Sequence, residues 1–190
     1  MKYRLPAEWE PQAAVQLTFP HEDTDWASVL DEVMPCFVEI AETISRFQPV
    51  IVVCRNADAV RRLLKNVRPE HLILAEADSN DTWARDHGGI TMLPAGTEGK
   101  RKSPALILDF VFNGWGLKFP ADKDNLLTGH LHRQGVLKGR LRHGGMVLEG
   151  GGIETDGEGT LLTTSECMLS PNRNPHLTAR QIEKRLIRLF

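Results

Sequence analysis

Between residues 78 and 89 the sequence reads DSNDTWARDHGG, which sets Asp78, Asp81, Arg85 and Asp86 around one indole, Trp83. A further acid, Glu149, opens a run of three glycines at 150 to 152. Carboxylates beside an aromatic ring and glycine-exposed backbone suit a flat cation. A guanidinium offers a planar fork of donors to paired carboxylate oxygens, and its stem or face can lie on an indole. The same acids also suit a plainer use, capping turns and pairing with Arg85, which is the commoner fate of any single aspartate in such a loop. The pattern leaves both readings open.

Other candidate chemistries fall away on spacing. The three glycines lack both the GxxxxGK[ST] pattern and a GxGxxG between strand and helix, so no nucleotide-phosphate cradle is expected. His130 and His132 would lie on one side of a strand, but no third ligand stands at a telling distance, and no metal site is expected. Cys167 follows Glu166 and precedes Asn172, Asn174 and His176, a faint suggestion of a thiol with a base. Residues that meet in space are seldom chain neighbours, so the expectation is a buried, inert thiol. Cys36 and Cys54 sit in apolar patterns and read as core. An odd number of widely spaced cysteines with no CxxC pair argues against a disulfide framework and against structural zinc.

These residues need a scaffold, and the hydrophobic pattern supplies an α/β one. Residues 13 to 19 read as a strand, and 26 to 47 as a helix presenting Val29, Val33, Phe37, Ile40, Ala41 and Ile44. Residues 50 to 54 are a continuous apolar strand, and Asn56 can cap a helix carrying Val60, Leu63 and Leu64. Strands follow at 71 to 75, 90 to 93 and 105 to 110. The acid-rich loop thus lies between two strands, where function usually sits. Residues 121 to 143 read as a polar region with a short helix, and 153 to 155 with 160 to 163 as a hairpin about a Gly-rich turn. Thr178 and Gln181 form a capping-box pair opening a helix with Ile182, Leu186 and Leu189 on one side. A last helix with no following strand to cover points to part of a longer chain; the alternative is a short protein whose helix packs on the existing sheet.

The 190 residues are ample for a core, with 23 Lys+Arg against 25 Asp+Glu, a net charge of -2. No basic surplus marks nucleic acid or an anionic membrane as partner. No apolar run approaches the roughly 18 residues a span needs, and MKYRLPAEWEPQ lacks a secretory apolar core, so the expected compartment is the cytosol.

Five motifs occur in order: PAEWEP at 6 to 11, NDTWARDHGG at 80 to 89, FNGWG at 112 to 116, LEGGGIETDGEGTLLTT at 148 to 164 and CMLSPNRNPHLT at 167 to 178. Together they resemble the agmatine deiminases and the Porphyromonas-type peptidylarginine deiminases of the guanidine-modifying pentein superfamily. The resemblance spans nearly the whole chain. It implies an α/β propeller of ββαβ units, of which this chain would be the N-terminal half, a single region over 1–190. It implies thiol chemistry without metal or organic cofactor. A cysteine attacks the guanidinium carbon, ammonia leaves, and water releases a ureido product.

Carried over by position, Asp86 matches the carboxylate that grips the guanidinium, Trp83 an aromatic residue lining the substrate channel, and Glu149 an acid near the catalytic histidine or the guanidinium. Asp86 and Glu149 are therefore the expected catalytic acids, and Trp83, Asp86 and Glu149 the expected substrate contacts. Arg85 is expected to pair with neighbouring acids. The chain departs from its relatives at FPH, residues 19 to 21, and at HGG, residues 87 to 89, which bears on substrate shape. The family's Gly-His-x-Asp motif and C-terminal cysteine have no match here, so the chain alone is expected to be inactive. The implied substrate is agmatine, with peptidylarginine or free arginine next, and the alternative is a non-catalytic binding role. Homodimers, or self-association of a half-built propeller through uncovered edges, are further expectations.

Overall fold

The computed structural model describes residues 3–95 and 104–190. In chain order these form β1 (Tyr3–Arg4), β2 (Val15–Thr18), α1 (Leu30–Ser45), β3 (Val50–Cys54), α2 (Ala57–Leu63) and β4 (Leu72–Glu76). Next come the single-turn helix α3 (Ala84–His87), β5 (Ile90–Pro94), β6 (Leu106–Val111), α4 (Asp124–Arg133) and β7 (Arg140–Val147). The hairpin β8 (Ile153–Thr155) and β9 (Leu161–Thr163), the short α5 (Ser165–Met168) and α6 (Ala179–Leu189) complete the order.

Every residue of β3 is apolar and buried. A strand with no solvent face must have neighbours at both edges and layers on both sides. β2 and β4 pair with it in parallel, Val15 opposite Val50 and Cys54 opposite Glu76. On one side Val50, Val52 and Cys54 meet Phe37, Ala41 and Ile44 of α1 and Val60 of α2. On the other side Ile51 and Val53 meet Leu127 and Leu131 of α4. Alternation along one strand therefore joins the parallel sheet to a helix of the following unit.

That following unit is β5–β6–α4–β7, an antiparallel pair whose second strand is joined through a helix to a parallel third. With β1 antiparallel to β5 it makes a four-stranded sheet of order β1-β5-β6-β7. Met92, Leu106, Leu108 and Phe110 cluster with Ile182 and Leu186 of α6, and Leu189 packs against the same core, so the last helix lies on this sheet. Its capping box forms as expected: Thr178 Oγ1 accepts from the Gln181 amide, and Gln181 Oε1 accepts from the Thr178 amide at 2.8 Å. The Asn56 cap also forms, accepting from Ala59 N at 2.8 Å.

Several expectations change. The first helix opens as a 3₁₀ turn, Ala27–Val29, and its buried side is shifted: Met34 and Val38 join Phe37, Ala41 and Ile44 against the core, while Val29 and Ile40 are exposed. Cys36, expected in the core, therefore lies on the outward side and is exposed, and Cys167 is half-buried rather than buried. His130 and His132 lie in helix α4, not in a strand, and at two residues' separation they face different sides. The His132 ring nitrogen Nε2 bonds the Gly139 carbonyl at 3.0 Å. Residues 140 to 143, expected in the polar region, instead open the eight-residue edge strand β7. No described helix is long and apolar enough to cross a membrane.

Candidate active site

The acid cluster read from the sequence separates in space, because a short loop and a single helical turn point its members in different directions. Asp78 turns to Arg55 Nε at 3.4 Å, and the same guanidinium also holds Glu22 and Asp23. Asp81 is buried, its Oδ1 accepting from the Thr82 amide at 2.7 Å. Beside it the buried Asp124 accepts from the Asn80 amide at 2.7 Å and from the Asp81 amide. Trp26 Nε1 donates to Thr82 Oγ1 at 3.0 Å. Residues 80 to 82 are thus a braced support for Trp83 and α3 rather than part of a cation site.

Asp86 is different. It sits in α3 with its carboxylate turned to the glycine run: Oδ1 accepts from the Gly151 amide at 3.1 Å, and Oδ2 accepts from Trp115 Nε1 at 3.2 Å. Among the described residues it forms no ion pair. Two neutral donors, one on each oxygen, fix the carboxylate without cancelling its charge. Each oxygen keeps acceptor capacity, the arrangement a two-pronged N–H donor needs. Arg85, one residue earlier, clamps the same glycine run through Nε to the Gly150 carbonyl at 3.2 Å. Its acidic partners are Glu8 and, at 3.8 Å, Glu154, so it does pair with acids, but with distant ones rather than those of its own loop.

Rings enclose this carboxylate on one side. Trp83 caps α3 and meets Trp115 edge-on at 5.7 Å, and Trp115 also meets Phe112 at 5.1 Å and Phe119 at 5.7 Å. Trp83 and Phe119 remain about half exposed, leaving aromatic surface open beside Asp86. Glu149 lies two residues before Gly151 and has a partner of its own. It is buried and held by Arg173 Nε at 2.7 Å to Oε1 and 3.1 Å to Oε2. Of the three residues picked out by sequence, Trp83 and Asp86 come together around Trp115, while Glu149 joins them through the shared glycine backbone.

His87 ends α3 and is buried, with Nε2 at 3.5 Å from Thr18 Oγ1 and Nδ1 unpartnered among the described residues. Burial in this apolar setting lowers its pKa to about 4, so the ring is neutral near pH 7. No described group of three or more His, Cys, Asp or Glu side chains is placed to hold a metal ion. A groove of about 900 Å³ runs elsewhere, along α6, lined by Leu161, Met168, Ile182, Leu186, Ile187 and Phe190. Arg4, Glu158, Ser165 and Glu183 also line it, and it contains none of the candidate site residues.

A family model for the Porphyromonas-type peptidyl-arginine deiminases matches residues 4–190. The chain belongs to that family. Among relatives of this deiminase family, a Shewanella baltica (strain OS185) protein named "Putative agmatine deiminase" is 38% identical over 187 residues, which is 95% of this chain and 48% of that protein. The structure of C. jejuni agmatine deiminase with substrate bound superposes with a TM-score of 0.88 at 32% identity, covering 100% of this chain and 54% of that one. The agmatine deiminase of Enterococcus faecalis gives a TM-score of 0.79 at 32% identity, covering 97% and 49%. The fold is the expected pentein-type α/β arrangement of these deiminases, and the described sheets do not close on one another. The chain spans about half the length of the curated relatives it matches.

Two residues of this site escaped sequence reasoning. Trp115 was visible only as part of an aromatic, glycine-rich FNGWG, and Arg173 only as a charge within NRN. A signal for the first existed: an Asn three residues before a glycine is the pattern of a side-chain cap, and Asn113 Oδ1 accepts from Gly116 N at 3.0 Å.

Proposed function

We propose that this chain forms the substrate-holding part of a guanidine deiminase of the agmatine type. The observation that carries this reading is the Asp86 carboxylate, held by two neutral N–H donors and lying beside open aromatic surface. A guanidinium laid against Asp86 would use both free acceptor directions, with its alkyl stem along Trp83. Glu149, its charge balanced by Arg173, would anchor the start of the glycine run whose Gly151 amide holds Asp86. The reaction converts agmatine and water into N-carbamoylputrescine and ammonia. In it a thiolate adds to the guanidinium carbon, ammonia departs with a proton, and water cleaves the amidino-cysteine. Asp86 would fix the cation for that attack and stabilise charge as it leaves the carbon. The thiolate and the histidine have no counterpart at the family's positions among these 190 residues, so the chain by itself binds without turnover.

Calorimetric titration of the 190-residue chain with agmatine, an N-acylarginine amide and free arginine tests this. Agmatine is expected to bind best, Asp86→Ala to abolish binding, and no ammonia to be released. Binding of the acylarginine amide but not agmatine would replace the preferred substrate. Absence of binding by all three would remove the reading altogether. Among the described residues β2, β4 and β7 lie at sheet edges, which also supports self-association, and sedimentation velocity would detect this as a concentration-dependent shift.

A further inference from the structure

Trp115 stands in backbone that a ring placed only for packing would not require. Residues 114 to 117 all have positive φ: Gly114 +64°, Trp115 +56°, Gly116 +83° and Leu117 +65°. Left-handed backbone is strained for a residue with a Cβ, and here two such residues, Trp115 and Leu117, carry it. The turn is over-determined by its surroundings. Asn113 Oδ1 accepts from Gly116 N, Asn113 Nδ2 donates to the Asn172 carbonyl at 2.8 Å, and Leu117 N returns to the Asn113 carbonyl at 2.8 Å. A side chain on Gly114 would strike the Phe119 carbonyl.

What the strained turn achieves is the placement of one N–H. Trp115 is half-buried, so an indole needing only a partner could have met water. Its Nε1 instead meets Asp86 Oδ2, while three edge-on rings fix the indole plane. Asp86 stands on a four-residue helix with a rotatable side chain, and a single donor at Gly151 would leave its other oxygen free to swing. The turn also abuts the second acid's support. The Cβ of an alanine at Gly116 would lie 3.5 Å from Arg173 Nη1, the guanidinium that holds Glu149.

We infer that Trp115 is a positioning residue for guanidinium binding: its indole N–H, set by the left-handed turn at 114 to 117, locks the Asp86 carboxylate in the orientation that accepts a two-pronged cation. It acts through Asp86 and is not itself a catalytic residue. The inference rests on the guanidinium reading of Asp86 proposed above, and it separates two functions of one ring. Phenylalanine at 115 can keep much of the edge-on packing but has no N–H to donate.

The test uses the 190-residue chain labelled with ¹⁵N at its four indoles. Single Trp→Phe variants assign the cross-peaks, and agmatine is titrated calorimetrically into wild type and Trp115→Phe. The expected results are three. The Trp115 indole N–H moves on Asp86→Ala; it moves again when agmatine is added to wild type; and Trp115→Phe weakens agmatine binding about tenfold, as loss of a hydrogen bond to a charged group should. A ring needed for packing alone would be rescued by phenylalanine. Affinity within twofold of wild type in a folded Trp115→Phe chain overturns the inference, as does a Trp115 indole resonance indifferent to Asp86→Ala. If Trp115→Phe does not fold, the Asp86→Ala shift, assigned by subtraction of the other three indoles, decides alone. If wild type binds no agmatine, the functional reading fails, and the indole response to Asp86→Ala still decides whether Trp115 positions that carboxylate.

Discussion

The buried carboxylate of Glu149 is held by Arg173 Nε, 24 residues further along the chain, at 2.7 and 3.1 Å. Both partners are almost wholly shielded from solvent, so neither charge has water to fall back on. Removing one partner of such a pair costs about 3–5 kcal/mol, because the other is left buried and uncompensated. Arg173→Met, which keeps the stem and removes the charge, should lower the urea-unfolding free energy by that amount. Replacing Glu149 and Arg173 together by methionine should recover much of the loss. A single variant within about 1 kcal/mol of wild type would show that the pair contributes little.

Adjacent glycines in the run after Glu149 should fail in different ways. A Cβ on Gly150 would overlap the Arg85 carbonyl, which is backbone, whereas a Cβ on Gly151 would overlap Asp86 Oδ1, the end of a rotatable side chain. Gly150→Ala is therefore expected to lower stability by about 1–3 kcal/mol through a forced shift of α3 against the loop. Gly151→Ala should leave the denaturation midpoint nearly unchanged and weaken agmatine binding at least tenfold, because Asp86 must rotate out of its two-donor setting. Urea curves and calorimetric titrations of both variants check the contrast. Equal effects of the two substitutions on binding would count against it.

His87 makes stability depend on acid. Its ring is kept neutral by burial, with a folded pKa of about 4 against an ordinary 6.5. Between those values the unfolded chain takes up a proton that the native chain refuses, so stability rises with pH across that window and is lost as pH falls from 6.5 towards 4. The shift corresponds to about 3 kcal/mol. Urea midpoints measured at pH 7 and pH 4.5 for wild type and His87→Gln should show a smaller acid loss in the variant. An identical acid loss would mean that His87 titrates normally in the native state.

What could be read from the sequence depended on how local the deciding interaction is. The β3 run of Val50 to Cys54, the Asn56 cap and the Thr178–Gln181 capping box are settled within a few residues, and each forms where the pattern put it. β7 was obscured because an edge strand tolerates Arg140, Arg142 and two glycines, which blur any alternation. Cys36 is exposed because α1 buries a side rotated from the one its apolar spacing suggests, a rotation set by packing on β3 and not by the helix itself. The acids around Trp83 looked like one cluster because they are close in sequence. Their partners Arg55, Asp124, Gly151 and Trp115 come from four other parts of the chain, and only the fold sorts them. Arg173 holds Glu149 across 24 residues, a pairing that no spacing rule announces.

Asp124 should oppose His87 in its pH dependence. Burial raises its pKa to about 6 from an ordinary 3.8; the amides of Asn80 and Asp81 pull the other way, and the nearby acids Asp81 and Asp122 add to the rise. A raised carboxyl pKa means that the native chain keeps a proton the unfolded chain has released. Stability from this group is therefore full below about pH 3.8 and declines as pH rises to 6. With allowance for solvent screening the decline is about 2 kcal/mol. Asparagine at 124 retains an acceptor for the Asn80 amide but carries no charge at any pH. Relative to wild type, Asp124→Asn should thus gain about 2 kcal/mol between pH 4 and pH 7, read from paired urea curves. Because Asp124 braces residues 80 and 81 just before Trp83, the variant should also hold agmatine affinity steadier than wild type over the same range. A stability difference between the two chains that is flat from pH 4 to 7 would show that Asp124 is ionised in the native state throughout.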